Sequence, residues 1–139
     1  MSVILGVDYG ERRIGLAVSD ELMIAANPLD TIARTTEQRD LAAIEKLVRQ
    51  RNVERIVVGL PLNMDGSEGP MAKAVREFAG KLSGLGIEIE FWDERLSTRA
   101  AESTLLEADF TRKKRKGLRD KVAAAWLLQG YLDARKKPG

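Results

Sequence analysis

Acidic residues stand at three places where an α/β protein could assemble a reactive site. Asp8 follows the apolar run Val3–Val7, and Asp93 and Glu94 follow a second strand-like segment. Asp120 lies near the start of the last helical segment. Converging carboxylates repel one another unless a cation neutralises them, and oxygen ligands favour hard cations such as Mg²⁺ or Mn²⁺. The pattern therefore predicts a divalent-metal site, with ions about 4 Å apart if it holds two.

Each carboxylate also has a purely structural interpretation. Asp8 could cap a turn, and Asp120 could favour a helix N-terminus through the helix dipole. Asp93 and Glu94 could pair with Arg95 or Arg99 on the surface. Asp8 is the hardest to explain in this way, because an acid at the end of so apolar a strand is costly without a partner. Alternation puts Asp93 and Glu94 on opposite faces, so spacing alone leaves open which of them joins Asp8.

The composition excludes several catalytic classes. The chain of 139 residues has no Cys and no His. It can therefore form no disulfide, no thiolate nucleophile, no imidazole acid/base pair and no Ser-His-Asp triad. With 44% apolar and 32% charged residues, it is typical of one globular domain over 1–139. The longest apolar run is Val122–Leu128, and the N-terminal residues do not resemble a signal peptide, so we expect a cytoplasmic protein without a membrane span.

Charge is distributed unevenly along the chain. Residues 1–108 contain 13 basic and 18 acidic residues, a balance of −5, whereas residues 109–139 contain 10 basic and 3 acidic residues, a balance of +7. The run Arg112–Lys116 is entirely basic. An acidic body with a basic C-terminal quarter indicates a polyanionic partner, although a solvated helix face would give the same pattern.

The chemistry-bearing residues need an α/β frame to bring them together. Apolar runs and alternation predict strands over 3–8, 13–19, 25–32, 55–60 and 87–92, the third as an edge strand because it contains Pro28. Helical spacing predicts helices from a capping box at Thr35 to about Asn52, from Met71 to Gly84 or Gly86, over 98–108 and over 118–134. The segment 61–70 is predicted to be a mobile loop. The order of elements indicates one α/β domain with a mixed sheet, whose sites lie at the carboxyl ends of its strands.

The Asp8-x-Gly10 turn also suggests a nucleotide-binding alternative. A turn of this type between two strands is how actin-like ATPases and sugar kinases approach phosphates. The sequence has no Gly-x-x-x-x-Gly-Lys-Ser/Thr motif, so a P-loop is excluded. Actin-like kinases close two such domains around the nucleotide, and the length of this chain provides only one.

Four sequence blocks together resemble the YqgF/RuvX family of bacterial proteins. The first is Asp8-Tyr9-Gly10 with 13–17 (RIGLA), and the second is 58–66 (VGLPLNMDG). The third is 93–98 (DERLST), and the fourth is 116–125 (KGLRDKVAAA). Any one block is a weak signal, but the four occur in family order and span essentially the whole chain.

This resemblance implies an RNase H-like α/β fold, with a five-stranded mixed sheet of three antiparallel and then two parallel strands, flanked by helices. It also implies a metal-dependent nuclease whose catalytic and metal-binding acids are Asp8, Glu94 and Asp120, with Mg²⁺ or Mn²⁺ as cofactor. Related junction resolvases carry a second acid one turn further along the last helix, where this chain has Ala123 and Ala124. The difference leaves open whether one or two metals bind.

The resemblance offers two substrates, and the sequence favours RNA only mildly. One is precursor ribosomal RNA, matured at the 5′ end of its 16S part, and the other is a four-way DNA junction. A junction resolvase needs two active sites and hence a dimer, whereas we expect a monomer or weak homodimer. The predicted nucleic-acid contacts are basic side chains: Arg12, Arg13, Arg95, Arg112, Lys113, Lys114, Arg115 and Lys116. A non-catalytic RNA-binding module and an ATP-using regulator remain as alternative functions.

Overall fold

The computed structural model of the protein describes residues 2–95 and 112–136, and of residues 112–121 and 136 it describes the backbone alone. Its sheet has five strands in the order β3-β2-β1-β4-β5. They are β1 (Val3–Tyr9), β2 (Arg13–Ser19), β3 (Ala26–Ala33), β4 (Val53–Leu60) and β5 (Glu88–Asp93). The first three strands pair antiparallel, and β4 and β5 add parallel to β1. The predicted α/β fold class and mixed sheet are confirmed.

Strand positions follow from the residues in each strand. β1 is apolar apart from Asp8, β4 is apolar apart from Glu54 and Arg55, and most residues of both strands are buried, as expected for central parallel strands covered on both faces. β3 lies at the edge of the sheet, and none of its residues is buried. Pro28 is tolerated there because the backbone on the outer side of an edge strand donates to no neighbour. The prediction of an edge strand is therefore confirmed.

Two helices cover one face of the sheet. They are α1 (Glu37–Gln50) and α2 (Pro70–Leu82), which ends in a 3-10 turn, Ser83–Leu85, and the left-handed Gly86. Ile44 of α1 and Val75 of α2 are fully buried in the same core as the β1 side chains of Leu5 and Val7. The predicted cap of α1 is wrong by one residue. Thr36, not Thr35, is the N-cap, because its side chain accepts a hydrogen bond from the Arg39 amide three residues later.

The third described helix, α3 (Arg112–Lys136), covers the opposite face. Its residues Ala124, Leu128 and Leu132 pack on Ile4 of β1 and Val57 of β4. Gly6 lets this helix approach closely, because a Cβ at that position would lie 3.0 Å from the Leu128 Cβ and 3.2 Å from the Ala124 carbonyl oxygen. A larger residue in the middle of β1 would push α3 away from the sheet.

The contacts of α3 also fix its direction. Tyr131 lies near the start of β4, where its hydroxyl accepts a hydrogen bond from Arg55, the residue paired with Ile4. Ala124 and Leu128 lie against Gly6, further along β1. The helix therefore runs antiparallel to β1, with its earlier residues towards the carboxyl end of that strand.

Two expectations for the C-terminal quarter are corrected. The basic run Arg112–Lys116 forms the first turns of α3 rather than a connection before it, because Lys and Arg are good helix formers and the helix continues through Gly117. Asp120 consequently lies in the third turn of the helix, not the first. The helix predicted over 98–108 lies outside the described residues. Over the ranges that are described, no helix has the length and hydropathy needed to cross a membrane.

Candidate active site at the carboxyl end of the sheet

Asp8 and Glu94 come together on the face of the sheet that α3 covers. Leu5 and Val7 pack on the α1/α2 side, whereas Ile4 and Gly6 face α3, so alternation places Asp8 towards α3. Glu94 follows β5 directly, and its amide donates to the Leu60 carbonyl at the end of β4. The Glu94 carboxyl group is hydrogen-bonded to the Asp8 side chain. Two of the three predicted acids therefore meet at the carboxyl end of the central strands.

Gly59 makes the space that the Glu94 side chain occupies. A Cβ on Gly59 would lie 2.5 Å from Glu94 Oε1, 2.8 Å from its Cγ and 3.0 Å from its Cδ. Real Cβ atoms essentially never approach other atoms so closely. In the buried, apolar second half of β4, the glycine therefore allows the carboxylate to lie directly on the strand backbone, beside Asp8 on the neighbouring strand.

The electrostatics of this pair favour a neutralising partner. Burial, the hydrogen bond with Asp8 and the nearby negative charge of Asp8 raise the pKa of Glu94 from 4.5 to about 9. A hydrogen bond between two carboxyl groups requires a proton on one of them. A divalent cation at the same place would relieve the same repulsion, and carboxylate oxygens are the ligands that hard cations prefer. The donor set therefore fits the predicted metal.

The backbone of Asp120 reaches the same level of the sheet. Ala124 lies against Gly6, and residue 120 is one turn, about 6 Å, further towards the N-terminus of α3. Asp8 lies two residues beyond Gly6, about 7 Å along β1, in the same direction because helix and strand are antiparallel. The Asp120 side chain lies outside the described residues. Among the side chains that are described, no three metal-ligating groups form a cluster.

Asp93 is turned away from the pair. Its carboxylate accepts hydrogen bonds from Arg95: Nε lies 3.0 Å from each of its oxygens, and Nη2 lies 2.6 Å from Oδ2. This arginine lowers the pKa of Asp93. Of the two acids that spacing alone could not separate, Glu94 is the one brought to Asp8.

Arg34 braces the turn that follows Asp8, a feature the sequence did not reveal. Its Nη1 donates to the carbonyl oxygens of Gly10 (3.0 Å) and Glu11 (2.9 Å). Its guanidinium lies 4.4 Å from the centre of the Tyr9 ring, and its Nε lies 4.0 Å from the buried Asp40 carboxylate. A lone arginine after an edge strand gives no sequence signal for this role, because the carbonyls it binds are set by the turn geometry.

The structure describes the side chains of only some of the residues that were predicted to contact phosphate. Arg12 and Arg13 are exposed at the β1–β2 turn beside Asp8. Arg95 binds Asp93 and the carbonyls of the segment 61–69. The side chains of Arg112, Lys113, Lys114, Arg115 and Lys116 lie outside the described residues, although their backbone is helical. Nucleic-acid binding by each of these residues stays a prediction.

A mixed five-stranded sheet that brings carboxylates together where β1 ends is the arrangement of RNase H-like nucleases. Comparison with known families makes the assignment specific. The sequence model of the RuvX family, described as Holliday junction resolvase, matches residues 2–134, so the chain belongs to that family.

Curated relatives match over nearly the full chain. A protein of Myxococcus xanthus is 51% identical over 135 residues, which cover 96% of this chain and 89% of the relative. A protein of Halothermothrix orenii is also 51% identical over 135 residues, covering 96% of each. Both carry the name "Putative pre-16S rRNA nuclease".

Solved structures with the same fold include junction resolvases. RuvC of Thermus thermophilus, in complex with a Holliday junction substrate, matches with a TM-score of 0.62 at 17% identity, covering 97% of this chain and 96% of that one. The fowlpox virus resolvase, also in complex with junction DNA, matches with a TM-score of 0.57 at 12% identity, covering 97% of this chain and 99% of that one. At such identities the likeness confirms the RNase H-like fold.

Proposed function

We propose that this protein is a metal-dependent nuclease that hydrolyses phosphodiester bonds of structured nucleic acid, with the 5′ end of precursor 16S ribosomal RNA as its substrate. The observation that carries the proposal is the Asp8–Glu94 pair, two hydrogen-bonded carboxyl groups where the central strands end. A structural acid pair of this kind would be costly to retain, because one partner must be protonated at neutral pH. Binding of a catalytic cation would explain why the two carboxyl groups lie together.

Asp8, Glu94 and Asp120 are the residues that would hold Mg²⁺ or Mn²⁺. When bound, such an ion lowers the pKa of a water nucleophile and stabilises the negative charge that develops on the phosphate. The chain has no histidine, so no imidazole serves as general base. Gly59 keeps the Glu94 carboxylate against β4, which orients it towards Asp8.

The basic residues serve a different purpose in this proposal. Arg12 and Arg13 at the turn after Asp8, and the run Arg112–Lys116 at the start of α3, would bind backbone phosphates. These contacts supply affinity and orientation without reading the sequence. The run lies up to two turns before Asp120 on the same helix, so a strand bound there would be led towards the acids.

Ribosomal RNA is our first choice of substrate because relatives at about 50% identity carry that function in their names. Junction DNA is the second candidate. It is supported by the family description and by the junction bound to the structural neighbour RuvC. RNA requires no second active site, whereas resolution of a junction requires a dimer that presents two.

A side-by-side cleavage assay tests the proposal. Precursor 16S RNA with its 5′ extension and a synthetic four-way DNA junction are each incubated with the protein and Mg²⁺ or Mn²⁺. We expect cleavage at the 5′ end of the mature RNA, abolished by Asp8→Asn and by chelation of the metal. The matched control is Asp30→Asn, the same change at an exposed position on the edge strand β3, which should cleave like wild type.

Other outcomes point to the remaining functions. Cleavage of the junction alone would make the protein a resolvase. Binding of RNA without cleavage would indicate a non-catalytic binding module. Cleavage that survives in Asp8→Asn would show that these acids are not the active site. Measurable ATP binding with neither nuclease activity would favour the regulator.

A further inference from the structure

Arg95 joins two segments that meet beside the acid pair. On one side its Nε and Nη2 bind the Asp93 carboxylate, and its amide donates to Asp93 Oδ1 at 3.0 Å. On the other side its Nη1 donates to the carbonyl oxygens of Asn63 (3.3 Å) and Met64 (3.2 Å). One guanidinium therefore links the end of β5 to the connection that follows β4.

That connection, residues 61–69, is itself braced by hydrogen bonds. The backbone amide of Asn63 donates to the backbone carbonyl of Ser67 at 2.9 Å, and the backbone amide of Gly66 donates to the backbone carbonyl of Asn63 at 2.8 Å. Asp65 Oδ1 accepts from both the amide and the hydroxyl of Ser67. The segment therefore contains a hydrogen-bonded turn, and Arg95 attaches it to β5.

The position of Glu94 gives these contacts a consequence. Glu94 lies between Asp93 and Arg95 in the chain, so a closed contact between its two neighbours restricts the backbone that carries it. Its carboxylate must stay on Gly59 to face Asp8, and an error of about 1 Å in such a group can cost about a hundredfold in rate. Bidentate Arg–carboxylate pairs have the fixed geometry that this task requires.

We propose that Asp93 and Arg95 are positioning residues, which hold Glu94 in the geometry needed to bind metal by fastening the end of β5 to the turn 61–69. This proposal rests on the proposed function only in taking Glu94 as a metal ligand. It gives Arg95 a role other than the predicted phosphate contact. Nε, Nη1 and Nη2 of Arg95 each donate to a protein oxygen, so most of its donors are already used within the protein.

Two single substitutions distinguish the two roles. Arg95→Lys keeps the charge but removes the fork that binds both carboxylate oxygens. Asp93→Asn keeps the shape but removes the charge that holds the guanidinium. If the pair positions Glu94, both variants should lower kcat and weaken Mn²⁺ affinity about 10- to 100-fold, with KM and the salt dependence of nucleic-acid binding close to wild type. The double variant should be no worse than the worse single variant, because both changes break the same ion pair.

A phosphate-binding Arg95 gives the opposite pattern. Asp93→Asn would then free the arginine and leave nucleic-acid affinity unchanged or raised, while Arg95→Lys would raise KM and change the salt slope. That result would overturn the proposal. So would wild-type Mn²⁺ affinity in both variants, measured by electron paramagnetic resonance of the protein without nucleic acid.

An ion pair at the far end of the segment 61–69 provides the control. Arg76 Nε lies 2.7 Å from Glu68 Oε1, so Glu68→Gln removes the charge from a comparable ion pair that does not flank Glu94. It should leave Mn²⁺ affinity unchanged. Amide hydrogen exchange over 63–67 gives a readout that needs no activity, and it should become at least tenfold faster in both Asp93→Asn and Arg95→Lys. If wild type cleaves nothing but these changes occur, the positioning role stands and the proposed function fails.

Discussion

Replacing Gly59 with alanine tests the geometry of the acid pair by a single added methyl group. The new Cβ would lie 2.5 Å from Glu94 Oε1, and an ordinary contact begins at about 3.4 Å. The carboxylate must therefore move by about 0.9 Å, or the strands must separate. The carboxylate is the part that moves more easily, because Glu94 lies at the end of β5 whereas β4 is a buried central strand.

The expected effect on activity is large relative to the effect on stability. Catalytic groups tolerate errors of about 0.5 Å, and about 1 Å can cost a hundredfold in rate. We expect kcat/KM to fall about 100-fold, which corresponds to about 2.7 kcal/mol of transition-state stabilisation. Overpacking of this kind typically costs about 1–3 kcal/mol of unfolding free energy, and displacement of the carboxylate should keep the cost near the lower value.

The assay measures cleavage and Mn²⁺ affinity of Gly59→Ala alongside thermal unfolding. Gly80→Ala is the matched control, since a Cβ there meets nothing within 4 Å and alanine replaces glycine inside α2. It should keep full activity and gain about 0.5–1 kcal/mol of stability. Adding Glu94→Asp shortens the displaced side chain, so the double variant should lose less activity than the two single variants combined.

A folded Gly59→Ala protein with wild-type cleavage and metal affinity would refute this reasoning. It would mean either that Glu94 does not lie on β4 or that its position does not matter for catalysis.

Three further predictions test other parts of the structure. Because the folded-state pKa of Glu94 is about 9 and its ordinary value is 4.5, the metal-free protein should be most stable at low pH with respect to this group and lose that contribution as pH rises from about 4.5 through 9. Chemical denaturation across this range should show the decline, and Glu94→Gln or added Mn²⁺ should remove it; an unchanged slope in Glu94→Gln would contradict the assignment. Gly6→Ala should lower the unfolding free energy by about 1–3 kcal/mol by forcing α3 off β1, whereas an effect no more destabilising than that of Gly80→Ala would show that the close approach is unimportant. Replacing all of Arg112–Lys116 with serine should weaken nucleic-acid binding and reduce the slope of log K against log salt by about 0.7–0.9 for each phosphate that is no longer bound, and an unaltered slope would assign this run to a solvated helix face.

The strands were predictable because buried strands have recognisable apolar runs or an alternation of apolar and polar residues. β2 has the predicted bounds, and the order of parallel and antiparallel strands follows from which connections are long enough to hold a helix. Helix ends were less predictable. At α1, two adjacent threonines offer the same capping chemistry, and the structure shows that the Thr36 side chain accepts from the Arg39 amide whereas the Thr35 amide donates to Asp40.

The acid pair illustrates the same limit. Alternation separates Asp93 from Glu94 but does not say which face receives α3 and Asp8. That choice depends on Gly59, whose missing side chain admits Glu94, and on Arg95, which binds Asp93 on the other face. The Asp93–Arg95 pair is local in sequence and was one of the interpretations of these acids, whereas the space that Gly59 leaves for Glu94 is a contact between strands that only the folded structure reveals.

The central claim, that Asp8 and Glu94 hold a divalent cation, is tested most directly by anomalous diffraction from crystals containing Mn²⁺. We predict an anomalous peak between the two carboxylates at direct coordination distance, and its disappearance in Asp8→Asn crystals. A peak at another place, or no peak between the two carboxylates at an Mn²⁺ concentration that supports cleavage, would contradict the claim.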